Sequence, residues 1–192
     1  MSETVAAPVR EVDGRTVPAG GTWVIDPDHS SFEFVARHLM ARIRGRFDTV
    51  NGTAQIAEVP ENSSVQVEIE AGSVDTHAPQ RDGHVRSADF FDVEKYPKIT
   101  YRSAAVRRGS GESSWVLDGE LTIRDVTLPV TFQLEFNGAS ADPSLGQRAG
   151  FSAWTEVNRE DWGLTWNAPL DAGGFVLSTN VRLEIEVELV RQ

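Results

Sequence analysis

The sequence of 192 residues contains no cysteine. This absence excludes disulfide bonds, thiolate catalysis, and zinc or iron–sulfur sites that depend on cysteine ligands. The glycine-rich motifs GxGxxG and GxxxxGK[ST], which hold nucleotide phosphates, are missing too, as are HExxH, GxSxG and SxxK. These absences point to no particular catalytic site, although a Ser/His/Asp triad can assemble from residues far apart in sequence, and we assign no catalytic residue, no bound metal and no cofactor.

The sequence also has no long apolar run and little positive charge. No stretch reaches the roughly 18 apolar residues of a membrane-spanning helix, so we expect no integral membrane segment. The first twenty residues carry acidic residues where a secretory signal would be apolar, which favours a cytoplasmic location. The net charge of −11 repels phosphate, so we expect no nucleic-acid partner, and it disfavours adhesion of the chain to anionic lipid.

From Thr22 onward the dominant pattern is an alternation of apolar and polar residues, which is typical of strands with one buried face. The clearest segment is Val181–Leu189, where every odd-numbered position is apolar and every even-numbered position is charged. Similar alternation occupies Ala41–Phe47, Val65–Ala71 and Val130–Phe136. The connections are short, and short connections favour antiparallel neighbours.

About ten such strands must hide their apolar faces, either by stacking two sheets or by closing one sheet. Closure removes exposed sheet edges, so we predict an all-β fold: a closed antiparallel β-barrel of about eight to ten strands. A barrel of this size is either filled by its own side chains or holds one small ligand. The pattern alone leaves both possibilities open.

Residues 1–21 precede the alternation and are mostly small and polar, with Pro8 and Pro18 among them. We interpret residues 1–21 as a flexible N-terminal tail and residues 22–192 as a single β-barrel domain. One short helix is predicted over Ser87–Tyr96 near one end of the barrel, because Ser87 can cap it and Pro97 can end it.

Two segments concentrate charged and aromatic residues. The first, Gln80–Pro97, carries a group that either fastens the helix to the barrel end or contacts a ligand's polar head group: Arg81, Asp82, His84 and Arg86. The second, Asn158–Trp166, carries Arg159 together with Trp162 and Trp166, which either plug or line one opening. The four histidines lack the spacing of a metal site, so no metal ligand is assigned.

Five blocks of the sequence occur in an order known from one family. They are WVIDPDHSSFEF with ARHLMARIRGRF, SVQVEIEAGSVDT, RDGHVRSADFFDVEKYPKITYRS, WVLDGELTIRDVTLPV and NREDWGL. In these blocks the chain resembles the YceI-like family of polyisoprenoid-binding, lipocalin-like proteins. The resemblance implies a lipocalin-like barrel, a bound isoprenoid or other long-chain amphiphile, no catalysis and a possible homodimer. It also points to polar residues near the barrel ends: His29, Arg81, Asp82, His84 and Arg159.

The apolar strand faces supply candidates for the wall of a ligand channel: Phe34, Phe47, Val67, Ile69, Ile99, Tyr101, Leu121, Phe132, Phe151 and Trp162. We therefore expect a non-catalytic protein that binds, sequesters or transports an isoprenoid, quinone-like or other lipid amphiphile. Two alternatives stay open. One is an enzyme that acts on a lipid-like substrate through His, Asp or Arg residues at the barrel end, and the other is a solid barrel that serves in stress or protein interaction.

Overall fold

The computed structural model describes residues 8–171 and 173–192. Within these ranges the chain is almost entirely strand. The strands are β1 Val9–Val12, β2 Arg15–Pro18, β3 Gly21–Ile25, β4 Ser31–His38, β5 Ala41–Phe47, β6 Val50–Ile56, β7 Ser64–Glu70, β8 Val74–Asp75, β9 Lys98–Arg108, β10 Ser114–Ile123, β11 Val126–Asp142, β12 Gly146–Asn158 and β13 Leu177–Arg191. One α-helix, α1, covers Pro79–Arg86. No helix in the described part of the chain has the length and apolar character that crossing a bilayer requires.

Eight strands close into a ring in the order β12, β11, β10, β9, β7, β6, β3 and β13, and β13 pairs back to β12. Every pairing in the ring is antiparallel. The predicted closed antiparallel barrel is therefore confirmed, and so is its class as an all-β fold with one short helix.

One edge of β13 pairs with β12, and its other edge is shared by two strands. Its C-terminal part pairs with β3, as in Leu189 opposite Ile25, and its N-terminal part pairs with β4, as in Ile185 opposite Phe32. Between β3 and β4 the chain leaves the sheet in a short 3-10 turn over Pro27–His29. As a result β4, β5 and β8 continue the sheet past the ring and extend the barrel wall at one end.

Residues 8–21 differ from the flexible tail that the sequence predicted. They contain a β-hairpin of β1 and β2 in which Val17 is only 2% exposed. The physical reason is the turn: Asp13 and Gly14 both have positive φ, the conformation of a two-residue type I′ loop, whose twist matches that of the flanking strands. The interpretation as a tail is corrected for these residues, and residues 1–7 lie outside the described part.

The helix lies earlier in the chain than predicted. It ends at Arg86, and Ser87, the predicted start, is instead its C-cap, where its backbone N–H donates to the carbonyl of His84. Residues 87–96 form successive turns rather than a helix. Pro79 occupies the first turn of α1, where its fixed φ suits a helix and its missing N–H costs nothing.

Candidate functional site

The barrel encloses a cavity of about 850 Å³. This volume lies toward the upper end of the range of about 300–1,000 Å³ that is usual for ligand pockets. Every residue predicted as channel wall lines it: Phe34, Phe47, Val67, Ile69, Ile99, Tyr101, Leu121, Phe132, Phe151 and Trp162. The period-two alternation brings them together, since residues two apart on a strand point to the same side of the sheet.

The β1–β2 hairpin covers one end of this cavity, and Val17 and Pro18 form part of the lining there. Two arginines fasten the hairpin to the barrel rim. Arg10 donates to the carbonyl of Ala57 at 2.5 Å, and Arg15 donates to the carbonyl of Ser114 at 2.8 Å. The guanidinium of Arg15 also stacks on the Trp115 ring, 5.4 Å from its centre. This cover was not predicted from the sequence, because residues 1–21 were interpreted as a tail.

The opposite end holds the opening of the cavity. His38, at the end of β4, and Gln80, in the first turn of α1, both line the cavity and are exposed. The other lining residues in the described part of the chain are buried or half-buried. The cavity therefore meets solvent between the β4–β5 turn and α1, a place that we call the mouth.

Aromatic rings surround the mouth. Phe34, Phe47 and Phe91 form a triangle with ring centres 5.6–6.4 Å apart. On the other side, the imidazole of His84 packs edge-on against Trp166 at 4.6 Å. Such tilted and edge-to-face contacts are the favoured geometry of aromatic pairs, so the mouth has an apolar and largely fixed rim.

Hydrogen bonds fix α1 beside the mouth. Asp82, 7% exposed, accepts from the backbone N–H and the hydroxyl of Thr76 at 2.8 and 2.6 Å. Arg81 donates to Thr76 as well, and Arg86 donates to the carbonyls of Gly72 and Val74. The charged network of this segment thus fastens the helix to β8 and to the neighbouring residues Gly72 and Thr76, which corresponds to the structural role considered for it from the sequence.

The carboxyl group of Asp82 is held ionised by these contacts. Burial alone would raise its pKa, but the hydrogen bonds from Thr76 and the charges of Arg86 and Arg81 outweigh burial and lower it. Asp82 does not line the cavity, whereas Arg81 and His84 do. His84 also forms a 2.8 Å contact with Asp89 through Nε2.

Arg159 is the most deeply buried cation beside the cavity, with a side chain 7% exposed. It donates through Nε to the carbonyl of Ser178 at 2.9 Å and through Nη1 to the carbonyl of Leu164. Within the described residues Nη2 has no hydrogen-bond partner. Burial lowers the pKa of Arg159 below its usual value, though an arginine stays charged at neutral pH.

Trp162 follows Arg159 in the same 3-10 turn and closes the wall near it. Its side chain is 3% exposed, and its indole N–H donates to the carbonyl of Leu121 at 3.1 Å. Because its N–H has a hydrogen-bond partner and its ring is buried, Trp162 can both line the cavity and close one opening.

His29 lies away from the cavity, in the 3-10 turn between β3 and β4. Its Nδ1 is 2.9 Å from Asp26, and Glu188 comes close enough to both that the three could supply metal ligands. Arg148 already bonds the carboxylates of Asp26, at 2.5 Å, and Glu188. The guanidinium of Arg148 lowers the pKa of Asp26. It also offsets the negative charge of the carboxylates that would attract a metal ion.

Several residues at the mouth escaped the sequence analysis. His38 and Leu177 reach the cavity because they are paired across β4 and β13, although 139 positions apart in numbering. No local pattern signals that pairing. Phe91 also lines the cavity and was not among the predicted wall residues, whereas Trp166, which was expected to plug or line one opening, does line it.

These observations define a class: a closed antiparallel barrel with an apolar cavity, one covered end and one open end. A family model described as a YceI-like domain matches residues 23–189. The chain therefore belongs to the YceI-like family, as the sequence resemblance indicated.

Curated proteins are similar to this chain over most of its length. A UPF0312 protein of Pseudomonas putida (strain W619) is 37% identical over 166 residues, which is 85% of this chain and 82% of that protein. A UPF0312 protein of Staphylococcus aureus (strain MSSA476) is 34% identical over 170 residues, covering 86% of this chain and 95% of the relative.

Solved structures show the same fold at lower identity. BcnA of Burkholderia cenocepacia superposes with a TM-score of 0.75 at 19% identity, over 85% of this chain and 98% of its own. A polyisoprenoid binding domain from Saccharophagus degradans gives a TM-score of 0.67 at 20% identity, over 88% and 98%. At these identities the similarity establishes the fold alone.

Proposed function

We propose that the protein binds the chain of an isoprenoid, quinone-like or other lipid amphiphile inside its cavity, and that it sequesters or carries this ligand without chemical change. The observation that carries the proposal is the cavity itself: about 850 Å³ bounded mainly by aliphatic and aromatic side chains. The description of the Saccharophagus degradans domain as polyisoprenoid binding supports the same ligand class.

The size of the cavity favours a ligand site over a solid barrel. Native cores are close-packed and have few voids larger than a water molecule. A cavity of about 850 Å³ that opens at the mouth instead has the size of a pocket for a small molecule. The solid-barrel alternative therefore loses its support.

Burial of a lipid tail supplies enough free energy for binding. Each methylene transferred from water contributes about 0.8 kcal/mol, so ten of them contribute on the order of 8 kcal/mol before entropy costs. A dissociation constant of about 1 μM corresponds to a similar free energy. The apolar wall would thus dominate affinity, while Arg81, His84 and Arg159 would meet the head group near the mouth.

The first experiment identifies what the cavity holds. Solvent extraction of the purified protein followed by mass spectrometry should release a long-chain amphiphile, and the stripped protein should bind a fluorescent polyprenyl or fatty-acid probe. A protein that yields no lipid and binds neither probe contradicts the proposal.

A matched pair of variants locates the binding. Val67 lines the cavity, and Val116 lies on β10 without lining it. Val67→Phe should narrow the cavity and weaken probe binding about tenfold or more, whereas Val116→Phe should leave it unchanged. Equal affinity in both variants would place the probe outside the barrel.

The enzyme alternative has one observation in its favour, the contact between His84 and Asp89 beside the cavity. An imidazole paired with a carboxylate is a common general base. Turnover of a lipid ester that disappears in His84→Ala, while probe binding persists, would favour catalysis over carriage.

The proposal includes a cytoplasmic location and the homodimer implied by the family resemblance. Cell fractionation and sedimentation equilibrium test these two points independently of ligand binding.

A further inference from the structure

Large apolar side chains are exposed mainly at one place on the surface. In the described part of the chain six are exposed: Leu39, Met40, Val59, Leu145, Leu170 and Phe175. Four of these six belong to two neighbouring segments, residues 37–42 and residues 168–171 with 173–176, which we call the tip. Met40 is 96% exposed, so it makes almost no contact with the rest of the protein.

The two segments of the tip touch each other. The backbone N–H of Leu39 donates to the carbonyl of Val176 at 2.8 Å, and Pro169 and Phe175 form an isolated bridge within the second segment. The two segments therefore place their exposed apolar side chains on one region of the surface.

The β4–β5 turn also has an apolar residue at a position where the backbone conformation favours other residue types. Leu39 has a φ of 54°, a conformation that is unusual for a bulky residue and that turns normally assign to Gly, Asn or Asp. The β1–β2 turn follows that preference with Asp13 and Gly14. An exposed leucine at a strained position is a sign of a functional constraint.

Two arginines flank the apolar turn. Arg37 and Arg42 are cross-strand partners, and both are exposed. Within the described residues neither side chain has a hydrogen bond or an ion pair. The tip contains one carboxylate, Asp171, so two arginines less one aspartate leave it with a net charge of +1 in a chain of −11.

The tip adjoins the mouth of the cavity. His38, which lines the mouth, lies inside the tip, and Leu177, which also lines the cavity, follows its second segment directly. Whatever binds the tip therefore lies next to the opening through which a ligand would pass.

We propose that the tip docks onto the surface of a bilayer that contains anionic phospholipid. Leu39, Met40 and Phe175 enter the head-group region, Arg37 and Arg42 bind lipid phosphates, and the mouth faces the membrane. A protruding apolar turn with cationic flanks is the chemistry that interfacial binding requires. The net charge of −11 opposes adhesion, but charges farther than about 8 Å from the membrane are largely screened at physiological salt, so the charges of the tip dominate on contact. A protein partner fits less well, because an apolar patch of a few side chains is small beside the roughly 800 Å² per partner of a stable interface.

Vesicle flotation tests this docking. Wild-type protein should float with vesicles of equal parts phosphatidylcholine and phosphatidylglycerol, and much less with phosphatidylcholine alone. Met40→Asp and Phe175→Asp should abolish flotation, and Arg37→Gln or Arg42→Gln should each weaken it about fivefold. Leu145→Asp is the matched control, since Leu145 is 58% exposed in the β11–β12 connection, at the end of β12 remote from Arg159.

Three results would overturn the docking: no flotation of the wild-type protein, equal loss in Leu145→Asp, or a dimer that Met40→Asp dissociates while vesicle binding stays absent. Binding of a fluorescent fatty-acid probe in the absence of vesicles tests the proposed function independently of the docking. The tip variants should retain that binding. The vesicle experiment alone tests the docking. Only the idea that docking allows a ligand to pass between the membrane and the cavity rests on the proposed function.

Discussion

The ring of Phe34 lies directly over Gly45, its cross-strand partner in the β4–β5 pair. A Cβ atom at position 45 would overlap the Phe34 ring, so the absent side chain of Gly45 is what makes room for it. Phe34 then packs against Phe47 at 5.8 Å and Phe91 at 6.4 Å, measured between ring centres. This pair of residues therefore positions the aromatic wall near the mouth.

Replacing Gly45 by alanine should displace the Phe34 ring and strain β5. Overpacking of this kind typically costs about 1–3 kcal/mol, so Gly45→Ala should lower the free energy of unfolding by that amount. Urea denaturation measures the change. Gly83→Ala is the control, because a Cβ at Gly83 meets open space on helix α1 and should leave stability unchanged or raise it by about 0.5–1 kcal/mol. Equal losses in both variants would contradict the role assigned to Phe34.

The alternation of apolar residues was sufficient to predict the closed barrel and to place the candidate wall around one interior. Period two fixes which side chains share a face, and a continuous apolar face can be hidden only by closure or stacking. The size of the cavity could not be predicted in this way. It depends on the volumes of side chains from many strands at once.

The errors near both ends of the barrel have different physical origins. The hairpin was predictable, since Asp13-Gly14 between short alternating segments is a strong hairpin signal, but the neighbouring prolines favoured a tail. The helix was not predictable from its caps, because Ala78 at its start makes no capping hydrogen bond. Its position depends on the bonds from Thr76 to Asp82, which only the folded chain brings together.

The β1–β2 hairpin should control exchange at the covered end of the cavity. Val17→Asn puts a polar group at a position 2% exposed, and burying such a group without a partner costs about 1–3 kcal/mol. The hairpin should detach, trypsin should cleave faster after Arg10 and Arg15, and a bound fatty-acid probe should dissociate faster. Limited proteolysis and stopped-flow fluorescence measure the two effects.

The adjacent position supplies the control for this hairpin variant. Thr16 is exposed on β2, so Thr16→Asn adds the same side chain without burying it. Cleavage and probe dissociation should remain at wild-type rates. Faster cleavage in Thr16→Asn to the same degree would show that the burial of Val17 does not hold the hairpin in place.

Asp82 should make the structure around α1 sensitive to acid. Its pKa in the folded protein lies below the usual 3.8, so its ionised form stabilises the fold at every pH above 3.8, and this contribution is lost as the pH falls through the lower folded value. Asp82→Asn keeps an oxygen acceptor for Thr76 but removes the charge that faces Arg81 and Arg86. The variant should therefore be less stable than wild type at pH 7, and the difference should shrink below pH 4. Urea midpoints measured from pH 7 to pH 3 give both curves, and Asp161→Asn, at an exposed position near the mouth, should follow wild type throughout. A constant gap between Asp82→Asn and wild type across this range would show that the amide disturbs the fold sterically and that the charge of Asp82 contributes nothing.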